Sequence, residues 1–286
     1  MDPLAELVDA LNLRQVGEYI FEGHPIDLGF PRLFGGHVLA QACYAASKTV
    51  EDKGIHSLHG YFLRPGDPEK LIRYEVDPIR NGRSFSTRRV VAIQGGRAIF
   101  NMSSSFQISE EGFDHQISKP FAPAPDGIES DLEKTRAYAD QIPESIRAKI
   151  TSDRAVEFRT VDLVHPFGPR VKQPEKVAWV RATGLKSQDP LIHKCLLAYA
   201  SDFGLLATSL LPHGVSLAGR QLQAASLDHA MWFHRDFDMS EWILYRMDSP
   251  STSGGRGFNR GCFFTESGKL VASVTQEGLI RRRPTS

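Results

Sequence analysis

The stretch that decides the fold is Val38-Leu39-Ala40-Gln41-Ala42-Cys43-Tyr44-Ala45-Ala46, which follows Gly35-Gly36. Its residues are small or apolar and include no helix breaker, which indicates a buried helix. The chain then turns to strand-forming residues in four segments, His56 to Leu63, Ile72 to Val76, Ser84 to Ile93 and Ala98 to Gln107. A long buried helix followed by an antiparallel sheet, an α+β arrangement, is therefore expected. A short amphipathic helix from Pro3, with Leu4, Leu7, Val8 and Leu11 on one face, precedes it.

The same order of elements returns after a proline-rich stretch, Pro120 to Gly127. Short helical segments are expected over Asp131 to Gln141 and Glu144 to Ile150. The helix start Asp189-Pro190, like Asp2-Pro3, leads into a second apolar helix over Leu191 to Phe203. Strands follow over Val156 to Leu163, Val177 to Thr183, Ser226 to His234, Trp242 to Met247, Phe258 to Thr265 and Leu270 to Glu277. This order predicts an N-terminal unit (1–114), a linker with a helical connection (115–150) and a C-terminal unit (151–286).

Matching landmarks support a duplication of the first unit. Gly82-Arg83-Ser84-Phe85 corresponds to Gly255-Arg256-Gly257-Phe258, and the hairpin turns carry Gly96-Arg97 and Gly268-Lys269. Gln107 and Gln276 close the two halves at nearly equal distances from His59 and His229. Two related halves on one scaffold are the expectation.

Composition excludes several classes of function. The 286 residues carry 34 basic and 34 acidic side chains, so no global charge attracts nucleic acid, and the one dense basic run, Arg281-Arg282-Arg283, is interpreted as a solvated tail. Cys43, Cys195 and Cys262 are far apart and contain no C-x-x-C pair, which favours a reducing compartment. No uncharged apolar run reaches about 18 residues, so stable membrane insertion is not expected. We expect a cytoplasmic protein.

The two halves differ chemically at one place on their helices. Aligning Tyr44-Ala45-Ala46 with Tyr199-Ala200-Ser201 sets Ser47 opposite Asp202, so a carboxylate has appeared on an apolar helix. Because an isolated buried carboxylate is costly, Asp202 lies either at a solvent edge or in a cleft with partners. The sequence alone leaves both possibilities open.

Other catalytic patterns are missing or weak. There is no G-x-S-x-G string, which argues against a serine nucleophile of the hydrolase-elbow type. His229 and His234 are five residues apart on an expected strand and so point to opposite faces, which favours core or hydrogen-bonding roles over a metal site. The glycines around Arg256 match neither a phosphate loop nor a dinucleotide fingerprint. Neither a metal nor a cofactor is expected.

The chain resembles the acyl-CoA thioesterase II family over nearly its whole length, from Leu4 to about Arg282. The most specific matching stretches are Phe34-Gly35-Gly36-His37-Val38, Tyr61-Phe62-Leu63-Arg64-Pro65-Gly66-Asp67, Ala122-Pro123-Ala124-Pro125-Asp126-Gly127, Asp228-His229-Ala230-Met231-Trp232-Phe233-His234 and Thr275-Gln276-Glu277-Gly278. The resemblance implies a double hotdog, in which each half is a long helix wrapped by an antiparallel sheet.

The resemblance also implies a catalytic trio, namely Asp202 on the second-half helix, Ser226 at the start of a strand and Gln276 on the last strand. The implied reaction is hydrolysis of medium- to long-chain fatty acyl-CoA by direct attack of water. An aspartate is ionised at neutral pH and can take a proton from that water, while a hydroxyl and an amide hold it in place. Since Ser47 replaces the Asp in the first half, one site per chain is expected.

Two alternatives remain open at this point. The chain could carry out other hotdog chemistry, such as hydration or dehydration of an enoyl thioester, although the usual His-bearing pattern is not matched. It could also be a non-catalytic acyl-CoA binding module. For the CoA phosphates, Arg83, Arg88, Arg256 and Arg260 are eligible. A homodimer or homotetramer is expected, because hotdog sheets expose edges and faces that relatives bury by association.

Overall fold

One antiparallel sheet forms the framework of the chain in the computed structural model, which describes residues 2–218 and 222–282. Its strands are β1 Arg14–Gly17, β2 Ile20–Gly23, β3 Gly54–Phe62, β4 Ile72–Asn81, β5 Phe85–Gln94, β6 Arg97–Gln107, β7 Glu157–Thr160, β8 Glu175–Arg181, β9 Leu222–Ser226, β10 Asp228–Phe233, β11 Ile243–Ser253, β12 Arg256–Thr265 and β13 Leu270–Arg282. They follow the order β1-β2-β4-β5-β6-β3-β10-β13-β12-β11-β8-β7 across the sheet, and β9 also pairs with β13. The expected strands are all present, with shifted ends.

Six α-helices accompany the sheet in the described residues: α1 Pro3–Leu11, α2 Gly35–Ser47, α3 Asp131–Ala137, α4 Glu144–Ile150, α5 Pro190–Ser201 and α6 Leu205–Thr208. α1 and α5 begin in the same way, with an aspartate before a proline. Asp2 Oδ1 accepts from Leu4 N at 3.0 Å and Asp189 Oδ1 accepts from Leu191 N at 2.9 Å, which satisfies a backbone donor that the helix cannot. Both starts were predicted from the sequence.

The two halves meet through their strands β3 and β10. These strands pair antiparallel from Asp228 opposite Tyr61 to Trp232 opposite Ser57, so the two half-sheets are one continuous surface. Both central helices lie on the same side of this sheet and pack against each other. Every residue of α2 from Gly36 to Ala46 is buried, as the small residues of the opening stretch predicted. The double hotdog that the resemblance implied is therefore observed.

The segment between the halves crosses the outer face of the second half-sheet. Trp179 Nε1 donates to Pro123 O at 2.8 Å, and Gln116 pairs with the backbone of the β12–β13 turn. An apolar cluster of Trp179, Trp242, Leu244 and Phe264 lies on this outer face, and Ala122 and Ile128 pack on it. The proline-rich stretch thus covers apolar side chains that the helices do not reach. The exact boundaries of the two units stay a prediction.

Two of the proposed repeat landmarks do not correspond in space. Gln276 is fully buried on β13, whereas Gln107 is half-buried and donates to Glu110 Oε2 at 2.7 Å. His229 is fully buried, whereas His59 is exposed on β3. Along a strand a shift of one residue moves a side chain to the other face. The hairpin pairings put the glutamine pair one position out of register, because Gln107 lies opposite Phe85 whereas Gln276 lies opposite Asn259, the residue after Phe258. The buried counterpart of Gln276 at the end of β6 is Phe106.

The helical stretch Pro190–His213 is long and apolar enough to cross a membrane by length and composition alone, with a mean hydropathy of 1.4. It comprises α5, α6 and a final 3₁₀ turn, and 67% of its most apolar window is buried inside the protein, as in a core helix. Arg281 and Arg282 are exposed at the end of β13, and Arg283, the last residue of the basic run, lies outside the described residues.

Candidate active site

Asp202 is the residue at which α5 ends. It follows the last helical residue, Ser201, whose carbonyl accepts a hydrogen bond from the buried Tyr245 hydroxyl at 2.9 Å. Tyr245 in turn stacks on Phe263 with ring centroids 3.9 Å apart. The end of α5 is therefore fixed on the sheet, and the half-buried Asp202 side chain has hydrogen-bond partners rather than lying at a free edge.

The first half supplies a partner for this carboxylate. Gly36 N, in the first turn of α2, donates to Asp202 Oδ2 at 2.9 Å. A helix N-terminus carries a partial positive charge, so it favours an anion at this position. The approach requires glycine, because a Cβ at Gly35 would lie 2.7 Å from Asp202 Oδ2 and one at Gly36 would lie 2.4 Å from Tyr199 O.

The structure brings the three sequence-predicted site residues together. Gln276 Nε2 donates to Asp202 Oδ1 at 2.6 Å and to Ser226 Oγ at 3.2 Å, and Ser226 Oγ donates to Asp202 Oδ1 at 3.4 Å. The carboxylate thus receives donors on both oxygens. Such charge-assisted bonds are the stronger class of hydrogen bond, so the orientation of Asp202 is well defined.

Ser226 differs from expectation in its place on the strand. It is the last residue of β9, not the first of a strand continuing to His234, because the strand breaks at Leu227. Leu227 N donates to Glu277 O while its carbonyl accepts from Phe62 N. The break lets β9 and β10 pair with successive parts of β13.

His229 is a buried, hydrogen-bonding histidine, as the sequence interpretation favoured, but its place beside the candidate site was not predicted. Its ring lies between the helix end and Gln276, with Nε2 at 2.8 Å from Ser201 Oγ and Nδ1 at 3.1 Å from Gln276 Nε2. Burial lowers the pKa of His229 to about 4, although the Asp202 charge acts in the opposite direction. The ring is therefore neutral at physiological pH.

His229 and His234 lie on opposite faces, as expected. His234 is exposed just after the end of β10 and pairs with Ser273 Oγ at 2.9 Å, away from the site. Within residues 2–218 and 222–282, no group of three or more His, Cys, Asp or Glu side chains could hold a metal ion.

Four arginines were considered as ligands for the CoA phosphates, and for Arg88 this prediction was wrong. Its guanidinium is buried and donates to the side chain and carbonyl of Thr49 at 2.8 Å each, so it is occupied inside the first half. Arg256 is paired with Glu277, and Arg260 with Asp248. Arg83 is exposed in the turn between β4 and β5.

Comparisons with known proteins find relatives over nearly the whole chain. Residues 145–279 match the family model described as acyl-CoA thioesterase, and residues 25–107 match the one described as acyl-CoA thioesterase N-terminal domain. Acyl-CoA thioesterase 2 of Haemophilus influenzae is 40% identical over 281 residues, which cover 98% of each chain. The crystal structure of acyl-CoA thioesterase II from Mycobacterium marinum is 38% identical, has a TM-score of 0.79, and the match covers 97% of this chain and 98% of that one.

A more distant solved structure bears on the fold alone. A protein of unknown function with a hot dog fold from Alicyclobacillus acidocaldarius has a TM-score of 0.77 at 18% identity, over 98% of this chain and 99% of that chain. The family models and the full-length relatives together confirm the resemblance found in the sequence, and the chain belongs to the acyl-CoA thioesterase family.

Proposed function

We propose that this chain hydrolyses medium- to long-chain fatty acyl-CoA to the free fatty acid and CoA, and that Asp202, Ser226 and Gln276 activate the attacking water. The observation that carries the proposal is the convergence of Gln276 and Ser226 on the Asp202 carboxylate, whose Oδ1 lies 2.6 Å from Gln276 Nε2 and 3.4 Å from Ser226 Oγ, with 3.2 Å between Gln276 Nε2 and Ser226 Oγ. Hydrolysis of an acyl-CoA thioester is also the reaction named in the descriptions of the matching relatives.

The geometry suits direct attack by water. A water molecule beside Asp202 gives one proton to the carboxylate while its oxygen attacks the thioester carbonyl carbon. Ser226 and Gln276 keep the carboxylate from rotating, which preserves the line of attack. When the tetrahedral intermediate collapses, the carbon–sulfur bond breaks and the proton on Asp202 passes to the thiolate, so the products are a carboxylic acid and the CoA thiol.

The N-terminus of α2 provides stabilisation for the negative oxygen that develops during attack. The first N–H groups of a helix have no partner within the helix, and the helix dipole favours negative charge there. Gly36 N is used by Asp202, whereas Gly35 N has no acceptor among the residues that the structure describes. Loss of one oxyanion donor typically costs about 2.7 to 4 kcal/mol of transition-state stabilisation. The first half thus contributes to a site whose proposed base belongs to the second.

The two alternatives have less support. A hydratase needs a histidine that reaches the substrate, but both ring nitrogens of the buried His229 are engaged by Ser201 and Gln276. A non-catalytic binding module would have no need for a carboxylate oriented from three sides. Hydrolysis therefore accounts for the geometry best.

We also propose a cellular location and an oligomeric state for the protein. Cys43 and Cys195 are buried free thiols and Cys262 is a partly buried one, which suits a reducing cytoplasm and a role in lipid metabolism. Exposed apolar side chains, among them Tyr61 and Phe121, suit burial in a homodimer or homotetramer. Light scattering after size exclusion tests assembly, and a monomeric mass would contradict it.

Thiol release from purified protein tests the proposed reaction. Palmitoyl-CoA and decanoyl-CoA should both release CoA, which a thiol-reactive dye detects. Ser226→Thr keeps the hydroxyl and should retain most of kcat, whereas Ser226→Ala should lower kcat about tenfold, as expected for loss of one hydrogen bond to a charged group. Absence of release by the wild-type chain would remove hydrolysis as its function.

A further inference from the structure

His229 is placed where it can decide which way the Gln276 amide faces. It lies on β10 with a fully buried side chain, facing inward with Met231 and Phe233. Its two ring nitrogens connect the end of α5 to β13, through Ser201 Oγ at 2.8 Å and Gln276 Nε2 at 3.1 Å.

The hydrogen bonds fix the tautomer of the ring. Ser201 Oγ donates its single proton to Ala198 O at 2.8 Å, so it can only accept from the histidine. His229 Nε2 therefore carries the proton, and Nδ1 presents a lone pair to Gln276. The Gln276 group facing it must be the NH₂ end of the amide.

The same NH₂ group also donates a hydrogen bond to Asp202. One amide has two N–H bonds: one faces His229 Nδ1 and the other faces Asp202 Oδ1 at 2.6 Å, so the longer contact with Ser226 Oγ, at 3.2 Å, can only share the second hydrogen. Rotating the amide by half a turn would bring its oxygen against both the carboxylate and the Nδ1 lone pair, which is repulsive on both contacts. The buried Gln276 Oε1 has no partner in the described part of the chain, so the amide is held by its nitrogen.

We propose that His229 is a positioning residue that locks the Gln276 amide with its NH₂ toward Asp202, through a relay from Ala198 O to Ser201, His229 and Gln276. This inference rests on the proposed function for its effect on rate, but the orientation of the amide can be measured independently of activity. Asp202 is the charged group that faces the ring. His229 does not touch substrate and transfers no proton.

Kinetics of matched variants test the effect on rate. His229→Leu keeps apolar volume but removes the acceptor, and should lower kcat by about tenfold or more with little change in KM, as expected when a group that orients the catalytic base is lost. His229→Asn places an amide oxygen near the Nδ1 position and should recover most of kcat. His193→Leu removes another buried histidine, at the far end of α5, and should leave kcat within about threefold of wild type.

The pH profile separates positioning from general loss of structure. In His229→Leu the carboxylate loses a well-held amide donor, so the acidic limb of the kcat/KM profile should move to higher pH. His193→Leu should leave that limb in place. Ser201→Ala removes the acceptor that fixes the tautomer of the His229 ring. It should move the acidic limb of the kcat/KM profile in the same direction as His229→Leu, so the inference can still be tested if the leucine variant does not fold.

Side-chain amide NMR tests the orientation without turnover. With ¹⁵N-glutamine labelling, the Gln276 NH₂ signals, assigned by their loss in Gln276→Ala, should shift in His229→Leu and return toward wild type in His229→Asn. Unchanged Gln276 signals together with wild-type kcat and pH profile in a folded His229→Leu would overturn the inference. If the wild-type chain released no thiol but the signals shifted as expected, the proposed reaction would fail and the positioning role would stand.

Discussion

Gly36→Ala should lower kcat strongly but the melting temperature only modestly, because it changes the contact between the two central helices, α2 and α5. An added Cβ would lie 2.4 Å from Tyr199 O and 2.6 Å from the Phe34 ring, whereas ordinary contact begins at 3.4 Å. The start of α2 must therefore withdraw from the end of α5 by roughly 1 Å. The bond from Gly36 N to Asp202 Oδ2, now 2.9 Å, would lengthen beyond hydrogen-bonding range.

The expected cost differs between the two measurements. Overpacking costs about 1 to 3 kcal/mol, and the better helix propensity of alanine offsets up to about 1 kcal/mol of this, so the melting temperature should fall only modestly. A displacement of about 1 Å at a catalytic group can lower the rate a hundredfold. Thiol release should therefore show a loss of kcat near that size.

Gly112→Ala is the matched control, since a Cβ at Gly112 meets nothing within 4 Å. It should keep both the melting temperature and kcat of the wild type. A Gly36→Ala variant that is folded and retains kcat within about threefold of wild type would refute the reasoning that the α2 N-terminus sets the position of Asp202.

Three further expectations follow from the same contacts. Gln276→Leu removes a hydrogen bond to a charged group and should lower kcat about 10- to 100-fold in the thiol-release assay, with wild-type rates contradicting its role. Burial lowers the pKa of both His37 and His229 to about 4. Between pH 4 and 6.5 the unfolded chain therefore binds more protons, and each histidine should lower the unfolding free energy by about 2 kcal/mol from pH 7 to pH 5, as denaturant titrations at the two pH values would show. Tyr245→Phe leaves the Ser201 carbonyl without its donor and should cost about 1 to 3 kcal/mol in the same titrations.

Much of the fold could be predicted from periodic patterns. The small apolar residues of α2 and the Asp-Pro starts of α1 and α5 specify their helices locally, because capping and burial depend on neighbouring residues. The short strands β1 and β2 and the helix α6 were not predicted, since four residues carry too little periodicity. Their existence depends on tertiary pairing.

Strand register and strand breaks could not be predicted from the sequence. Gln107 was matched to Gln276 by spacing, but the two lie on opposite faces, and only the sheet pairing reveals the one-residue offset. The break at Leu227, which puts Ser226 at a strand end, depends on backbone bonds to Glu277 and Phe62 from two other strands. Long-range pairing of this kind leaves no local signature.

Some residues of the proposed site could likewise be identified from the sequence, whereas others became visible only in the structure. The internal comparison singled out Asp202, and the family resemblance supplied Ser226 and Gln276. The contact of Gly36 with Asp202 became visible only when the two halves were brought together, and the place of His229 beside Ser201 only when α5 was packed against β10. Arg88 was misjudged because its charge suggested a surface ligand, whereas the fold buries it against Thr49.

The turnover of Asp202→Asn against Asp189→Asn tests most directly whether this carboxylate activates the water. Asp189 caps the opposite end of the same helix, and asparagine caps equally well, so that variant should keep wild-type kcat. Asp202→Asn should fold normally and lose at least about a hundredfold in kcat, the lower range for loss of a general base. Wild-type turnover by a folded Asp202→Asn variant would place the chemistry elsewhere and contradict the proposed site.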